Sequence, residues 1–169
     1  MFDDLLAANR RYSERFALRG IPSKAAKGFA LVTCMDSRIE PLATLGLRPG
    51  DAKILRNAGG RVTKDVLRSL ILATTFLGVN RIAVMHHTDC AMTQHSDSEI
   101  RARLGAAQPD DAEGWEFLTV ADPLAALVAD VSAVRQCALL PGEVRIEGWR
   151  YDVSTGLVQR VVPSEGSLD

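Results

Sequence analysis

The sequence has few cysteines and no sign of an export signal. Only three cysteines occur, and the N-terminus lacks a basic segment followed by an apolar one. An odd number of thiols in such a chain argues against a disulfide framework, so we expect free thiols or metal ligands. The longest apolar runs, such as residues 70–73, are too short to span a bilayer. We therefore expect a cytoplasmic protein.

The chain also lacks an excess of charge of either sign. Its 20 Lys and Arg residues nearly balance its 21 Asp and Glu residues, for a formal net charge of -1. Nucleic acid or an anionic membrane would feel no strong opposite field, so neither is an expected partner, whereas a small-molecule substrate remains open. No internal repeat, low-complexity segment or linker interrupts the sequence, so we predict one domain over residues 1–169.

Short apolar runs predict the centre of the fold. We predict strands at residues 29–34, 52–56 and 81–86, with helices at residues 40–46 and 64–77 between them. Continuous apolar runs suit strands that are buried on both faces of a parallel sheet. Strands alternating with helices predict βαβ units, with helices on the faces of that sheet.

The remaining segments complete an α/β fold. Residues 3–19 and 121–140 show the spacing of amphipathic helices, and residues 108–111 read as a turn. Residues 144–149 alternate like a fourth strand, and residues 154–156 predict a turn into a hairpin. The predicted fold class is a mainly parallel central sheet flanked by helices, with an N-terminal helix and a C-terminal hairpin strand.

Three metal-competent side chains follow predicted strands. Cys34 ends the first strand, and His87 and Cys90 follow the third. Ligands bind at the carboxyl ends of the strands in open parallel sheets, so these residues can converge on one ion. Two thiolates and one imidazole make a tetrahedral zinc site with one position left open. The alternative is that Cys34 is only a core thiol, as we expect for Cys137 on the apolar face of its predicted helix.

The other histidines are weaker candidates. His86 competes with His87, but strand alternation and the spacing to Cys90 favour His87 as the ligand. We expect His86 to be packed or hydrogen bonded behind it. His95 reads as a surface histidine at the entry to a helix.

Asp36 and Arg38 add a second feature to the same stretch. A carboxylate two residues after a thiolate ligand would lie at the zinc, and a guanidinium two residues further on can fork onto it. The alternative is an exposed turn with a surface ion pair. The glycine-rich residues 57–60 lack the GxGxxG spacing of a phosphate loop, so we expect them to pack beside the zinc.

The combined pattern resembles the β-class carbonic anhydrases, in their short form. The resemblance covers residues 30–91 by motif and the rest of the chain by the order of elements. Its motifs are Cys34-x-Asp36-x-Arg38, His87-x-x-Cys90 and Arg56-Asn57-Ala58-Gly59.

This resemblance implies both a site and a reaction. Cys34, His87 and Cys90 match the zinc ligands, and Asp36 with Arg38 matches the catalytic dyad. Asp36 either binds zinc as a fourth ligand or pairs with Arg38 and leaves that position to water. The implied activity is reversible hydration of carbon dioxide to bicarbonate and a proton by zinc-bound hydroxide. The resemblance also implies a dimer whose sites lie near the subunit boundary, so we expect a homodimer or higher homo-oligomer.

Two differences from the family pattern leave the identity of the substrate open. Many relatives carry glycine where this chain has Ala91, and a substrate-binding glutamine of many members is missing between Lys24 and Thr33. Hydrolases of carbonyl sulfide or carbon disulfide are related to the short form and would use the same zinc chemistry. A further alternative is a zinc module without catalysis, although such modules favour a closed, cysteine-rich ligand set.

Overall fold

A five-stranded sheet organises the protein, for which the computed structural model describes residues 1–105 and 114–165. The strand order is β2-β1-β3-β4-β5; the first four strands are parallel, and β5 runs antiparallel to β4. The strands are β1 Phe29–Cys34, β2 Ala52–Asn57, β3 Arg81–His87, β4 Arg145–Tyr151 and β5 Val158–Val162.

The described helices follow the chain order of an α/β fold. They are α1 Asp3–Glu14, α2 Pro41–Thr44, α3 Lys64–Phe76, α4 Asp97–Gly105 and α5 Pro123–Arg135. Two short 3-10 turns, Ala58–Gly60 and Ala91–Thr93, lie beside the ends of β2 and β3. Side-chain caps start α3 and α5, because Thr63 accepts from the N–H of Val66, and Asp122 accepts from two N–H groups of the first turn of α5.

Two apolar clusters fill the two faces of the sheet. One packs α3 and α5 against the sheet, with Leu70 and Val131 both almost completely buried. The other lies on the opposite face, where Leu31, Met85 and Ile39 pack together. All six residues of β1 are buried, as expected for a strand at the centre of a parallel sheet.

The predicted fold class is confirmed. The predicted first strand has the observed bounds, and the hairpin after residues 154–156 forms the antiparallel pair of β4 and β5. Both long amphipathic helices are shorter than predicted. The N-terminal helix ends at Glu14, and the helix predicted over residues 121–140 spans only Pro123–Arg135.

The shorter α5 changes the position of Cys137. Cys137 lies beyond the end of α5 in a tight turn, where its N–H donates to the carbonyl of Val134. The prediction that Cys137 lies on a helix face is therefore wrong, and its side chain is half-buried. The backbone N–H of Leu140 donates to the carbonyl oxygen of Cys137 in the next turn. The α-helix therefore ends before Pro141, which could not continue it.

The turn predicted at residues 108–111 lies outside the described residues. In the part of the chain that the structure describes, no helix has both the length and the apolar character needed to cross a membrane.

Candidate metal centre

Three donor atoms converge at the carboxyl edge of the sheet. Cys34 ends β1 and His87 ends the neighbouring strand β3, so parallel pairing brings them to the same edge. Cys90 returns to this edge after a turn of two residues. The ligand atoms of Cys34, His87 and Cys90 all lie within 4.8 Å of one another, and all three residues are buried. The three side chains that the sequence singled out are therefore together.

The ring of His87 is oriented to offer one nitrogen. Its Nδ1 lies 2.8 Å from the carbonyl oxygen of Thr88, so this nitrogen carries the hydrogen and donates. Its Nε2 is buried and, among the described residues, has no hydrogen-bond partner. A buried nitrogen with a free lone pair is costly unless a ligand satisfies it, and a metal ion would do so.

The spacing of the two thiols suits a tetrahedral zinc ion. Sγ of Cys34 and Sγ of Cys90 lie 4.0 Å apart, which is far too long for a disulfide. Zn–S bonds of about 2.3 Å at a tetrahedral angle place two thiolate sulfurs about 3.8 Å apart. The donor set of two sulfurs and one imidazole nitrogen therefore fits zinc, with a fourth coordination position left over.

The environment of the two thiols favours a thiolate at Cys34. The pKa of Cys34 is lowered to about 4, chiefly because the Cys90 thiol donates a hydrogen bond to it, whereas burial acts in the opposite direction. The neighbouring Cys34 and burial in turn raise the pKa of Cys90. The backbone N–H groups of Asp36 and Gly59 also point at the Cys34 sulfur. This asymmetry favours ionisation of Cys34 before Cys90, and a metal ion that binds both sulfurs would require both thiols to lose their protons.

The glycine-rich turn after β2 packs tightly behind Cys34. Gly60 has φ +68°, and a Cβ at this position would lie 3.0 Å from the backbone nitrogen of Cys34. Only glycine tolerates both this backbone conformation and this approach. As expected from the sequence, residues 57–60 pack beside the site rather than form a phosphate loop.

Asp36 is held by Arg38 in a bidentate ion pair. Arg38 Nε lies 3.0 Å from Oδ1 and Arg38 Nη2 lies 2.7 Å from Oδ2, and the Arg38 backbone N–H donates to Oδ1. Asp36 Oδ2 also lies 4.0 Å from Nε2 of His87, close to the three donor atoms but outside their cluster. The hydrogen bonds from Arg38 hold the pKa of Asp36 far below its usual range, so the carboxylate is ionised.

Arg38 has a second carboxylate partner that the sequence analysis missed. Its Nη1 lies 2.7 Å from Oδ2 of Asp89, and its Nη2 lies 2.9 Å from the carbonyl oxygen of Asp89. Asp89 stands in the spacer between His87 and Cys90, where the spacing rule gives no information about side chains. The sequence shows that Asp89 is acidic, but its contact with Arg38 forms only because the carboxyl ends of β1 and β3 lie side by side in the fold.

A buried network of charged and polar side chains lies behind the donor cluster. Nε2 of His86 lies 3.0 Å from Oδ2 of Asp130, and Nε of Arg61 lies 2.7 Å from the same oxygen. His86 is therefore packed and hydrogen bonded behind His87, as predicted. Asp130 and Arg61 were missed, although a carboxylate within an apolar helix face is a signal that could have marked Asp130.

Two sequence candidates lie away from the cluster. His95 is exposed just before α4, as predicted, and Cys137 follows α5. The cluster of metal-competent groups in the described residues consists of Cys34, His87 and Cys90.

Comparison with known proteins places this geometry in a family. Residues 29–109 match the family model described as carbonic anhydrase. The chain is 31% identical to β-carbonic anhydrase 1 of Mycobacterium tuberculosis, with 95% of this chain and 98% of the relative covered. It is 33% identical to the carbon disulfide hydrolase of an Acidianus strain, with 92% and 88% covered.

Solved structures agree with the sequence relatives. The carbonic anhydrase of Streptococcus mutans superposes with a TM-score of 0.89 at 40% identity, covering 95% of this chain and 96% of that one. Near-complete coverage at this identity extends the likeness from the motifs to the whole described fold. The chain belongs to the β-carbonic anhydrase family.

Proposed function

We propose that this protein catalyses the reversible hydration of carbon dioxide to bicarbonate and a proton, at a zinc ion held by Cys34, His87 and Cys90. The observation that carries the proposal is the convergence of three buried donor atoms within 4.8 Å, with the Nε2 lone pair of His87 free. Zinc bound there would lower the pKa of a water molecule to about 7 and so supply a nucleophile at neutral pH.

Asp36 would orient the attacking group. Its carboxylate stays ionised beside Arg38, so it can accept a hydrogen bond but has no proton to give. An acceptor fixed near the open coordination position aims the lone pair of the nucleophile at the carbon of the substrate. Arg38 holds Asp36 through two parallel bonds, which restrict the carboxylate to one orientation.

The proton that hydration releases must leave the site by a route that does not use Asp36. His86 is buried and bound to Asp130, so its ring is committed to the network behind the site. His95 is exposed and is not part of the donor cluster. We therefore assign proton release to buffer in solution rather than to either histidine.

Hydrolysis of carbon disulfide or carbonyl sulfide is the second candidate function. The observation that favours it is the 33% identity to a carbon disulfide hydrolase over 92% of this chain. The same ligands and dyad would serve both reactions. A third candidate, a zinc module without catalysis, is disfavoured because only three protein donors converge among the described residues.

Turnover of the three substrates by one zinc-loaded preparation tests the proposal. We expect carbon dioxide hydration, followed by stopped-flow pH change, to exceed hydrolysis of carbonyl sulfide and of carbon disulfide. Preferred turnover of either sulfur compound would replace the proposal with the second candidate. Zinc binding without turnover of any of the three would support the non-catalytic module.

The Asp36→Asn variant links that activity to the site. The amide keeps the size of the side chain but is a poorer acceptor, so we expect zinc content to persist while turnover falls about 100-fold. Asp65→Asn is the matched control, because Asp65 is an exposed carboxylate paired with Arg68 on α3. Equal turnover in the Asp36→Asn variant and the control would contradict the role of Asp36.

A further inference from the structure

The guanidinium of Arg38 is bound on two sides at once. Nε and Nη2 face the two oxygens of Asp36, at 3.0 Å and 2.7 Å. Nη1 and Nη2 face the carboxylate and the carbonyl oxygen of Asp89, at 2.7 Å and 2.9 Å. The planar fork is therefore fixed between a residue of the β1 edge and a residue of the β3 edge.

The backbone places Asp89 for this contact. Asp89 has φ 52°, in the left-handed region that aspartate and asparagine tolerate better than most residues. In this conformation its carboxylate and its carbonyl both reach Arg38. The side chain of Gln94 also donates to Oδ1 of Asp89, at 3.3 Å, whereas Arg38 donates to the other carboxylate oxygen, Oδ2.

We propose that Asp89 is a positioning residue, which fixes Arg38 so that Asp36 stays paired and leaves the fourth coordination position open. Arg38 is 44% exposed, so without Asp89 its flexible stem could carry the guanidinium into solvent. Asp36 would then lose the guanidinium, and its Oδ2, which lies 4.0 Å from Nε2 of His87, could bind a metal ion held by the three donor atoms. The inference rests on the metal site of the proposed function, but not on which substrate that site turns over.

The expected effect is moderate because the Asp89 pair is solvent-accessible. The side chain of Asp89 is 61% exposed, and exposed ion pairs contribute about 0.2 to 1 kcal/mol. The equilibrium between paired and metal-bound Asp36 should therefore shift by about 1.5- to fivefold when Asp89 loses its charge.

Binding of a neutral ligand to the cobalt-substituted protein tests this inference. Imidazole at about pH 8 is mostly uncharged and competes with Asp36 for the fourth position, and cobalt(II) reports the change in its visible absorption. We expect Asp89→Asn to weaken the apparent affinity for imidazole by about 1.5- to fivefold. Asparagine keeps the left-handed backbone and the carbonyl contact, and Asp89→Gly should give the same result by removing the whole side chain.

A second background separates positioning from a general change of charge. In Asp36→Asn protein no carboxylate competes for the metal, so adding Asp89→Asn should leave the affinity for imidazole unchanged. Asp65→Asn should leave it unchanged in the otherwise unmodified protein. An unchanged affinity in Asp89→Asn, or the same loss in the Asp36→Asn background, would overturn the inference.

The outcomes also separate this inference from the proposed function. Failure of the unmodified protein to take up cobalt or zinc would overturn both, because no metal site would exist. Metal uptake with the expected imidazole result, but with no turnover of carbon dioxide, would overturn the proposed function and leave the role of Asp89 standing.

Discussion

Asp36 lies between the guanidinium of Arg38 and the donor cluster at which we propose that zinc binds, and the partner that its carboxylate takes should decide whether the fourth coordination position is open. Arg38 binds both of its oxygens, while the donor atoms of the metal cluster begin 4.0 Å away at His87. The hydrogen bonds from Arg38 keep the pKa of Asp36 far below its usual range. Asp36 is therefore an anion at every pH at which the enzyme would be assayed, and its own protonation does not select its partner.

Replacing Arg38 should close the site without emptying it. In Arg38→Ala the Asp36 carboxylate loses its partner and becomes a competitor for the fourth coordination position, so hydration should fall about 100-fold while zinc remains bound. Hydration rates and elemental analysis over about pH 6 to 9, centred on the pKa of activated water, would show this. Arg68→Ala is the matched control, since Arg68 forms an exposed pair on α3. Full activity of Arg38→Ala across that range would refute the dyad.

Activity should rise with pH through the same range. Asp36 and Arg38 both keep their charge there, because the pKa of Asp36 is lowered and that of Arg38 is raised by their pairing. The rise must then come from the water that the metal activates, with a pKa of about 7, and from its better competition with Asp36 at high pH. A pH profile that is flat, or that falls as pH increases, would contradict this assignment.

At the scale of elements, one buried carboxylate joins three segments around the site. Asp130 of α5 accepts from His86 of β3 and from the Arg61 side chain, and its other oxygen accepts from the N–H of Val62. Asp130 is 4% exposed, so its charge depends on these partners. The network ties α5 to the strand that carries His87 and to the turn that packs on Cys34.

Removing this carboxylate should destabilise the fold strongly. Asp130→Ala leaves the largely buried Arg61 without its ion pair, at a cost of about 3 to 5 kcal/mol in the free energy of unfolding. Asp65→Ala should cost no more than about 1 kcal/mol, since its ion pair is exposed. Chemical denaturation of both variants at pH 7 measures the difference. Equal stability would show that the network contributes little.

The pKa of Asp130 adds a pH dependence to this prediction. Burial would raise the pKa, but the hydrogen bonds from His86 and Arg61 outweigh burial and lower it below the usual range. A carboxyl group whose pKa is lower in the folded state stabilises the fold at pH values above its unfolded pKa of about 4. This stabilisation is lost as the pH falls from the unfolded pKa through the folded pKa. The difference in the free energy of unfolding between the unmodified protein and Asp130→Ala should therefore become smaller as the pH falls below about 4.

The sequence predicted the elements better than their ends. The apolar run of β1 and the break at Gly78 have local causes, so strand β1 was placed correctly and α3 nearly so. For α1 and α5 the sequence predicts C-terminal ends at residues 19 and 140, which are five residues beyond the observed ends at Glu14 and Arg135. No residue of α1, which lies wholly within the described residues, is buried, so packing on its own subunit does not extend that helix.

At the scale of the molecule, α1 presents an apolar face that the other residues described by the structure leave exposed. Leu5 is 63% exposed and Leu6 is 55% exposed. None of the twelve residues of α1 is buried, so this face does not pack on the rest of the described chain. We propose that a second copy of the chain covers this face in a homodimer.

Light scattering at micromolar concentration, with zinc bound, tests the homodimer. We expect the mass of two chains for the unmodified protein and a shift towards one chain for Leu5→Asp, because a buried charge would oppose association. Leu139→Asp is the control, since Leu139 is similarly exposed after α5. A monomeric mass for the unmodified protein would contradict the homodimer.

The residues of the site that belong to the sequence motifs were predictable from the sequence. Cys34, His87 and Cys90 could be assembled from strand order alone, because parallel strands bring their carboxyl ends to one edge. The fork of Arg38 onto Asp36 is local and was also predicted. The contacts of Arg38 with Asp89 and of His86 with Asp130 join residues 51 and 44 positions apart, and no spacing rule specifies such pairs.

Zinc stoichiometry of three cysteine variants tests the central claim most directly. The claim is that Cys34, His87 and Cys90 hold one zinc ion per chain, and each thiolate is a strong ligand whose loss a serine does not replace. Elemental analysis of dialysed protein should find about one zinc in the unmodified chain and in Cys137→Ser, and nearly none in Cys34→Ser or Cys90→Ser. Full zinc content in both Cys34→Ser and Cys90→Ser would contradict the account.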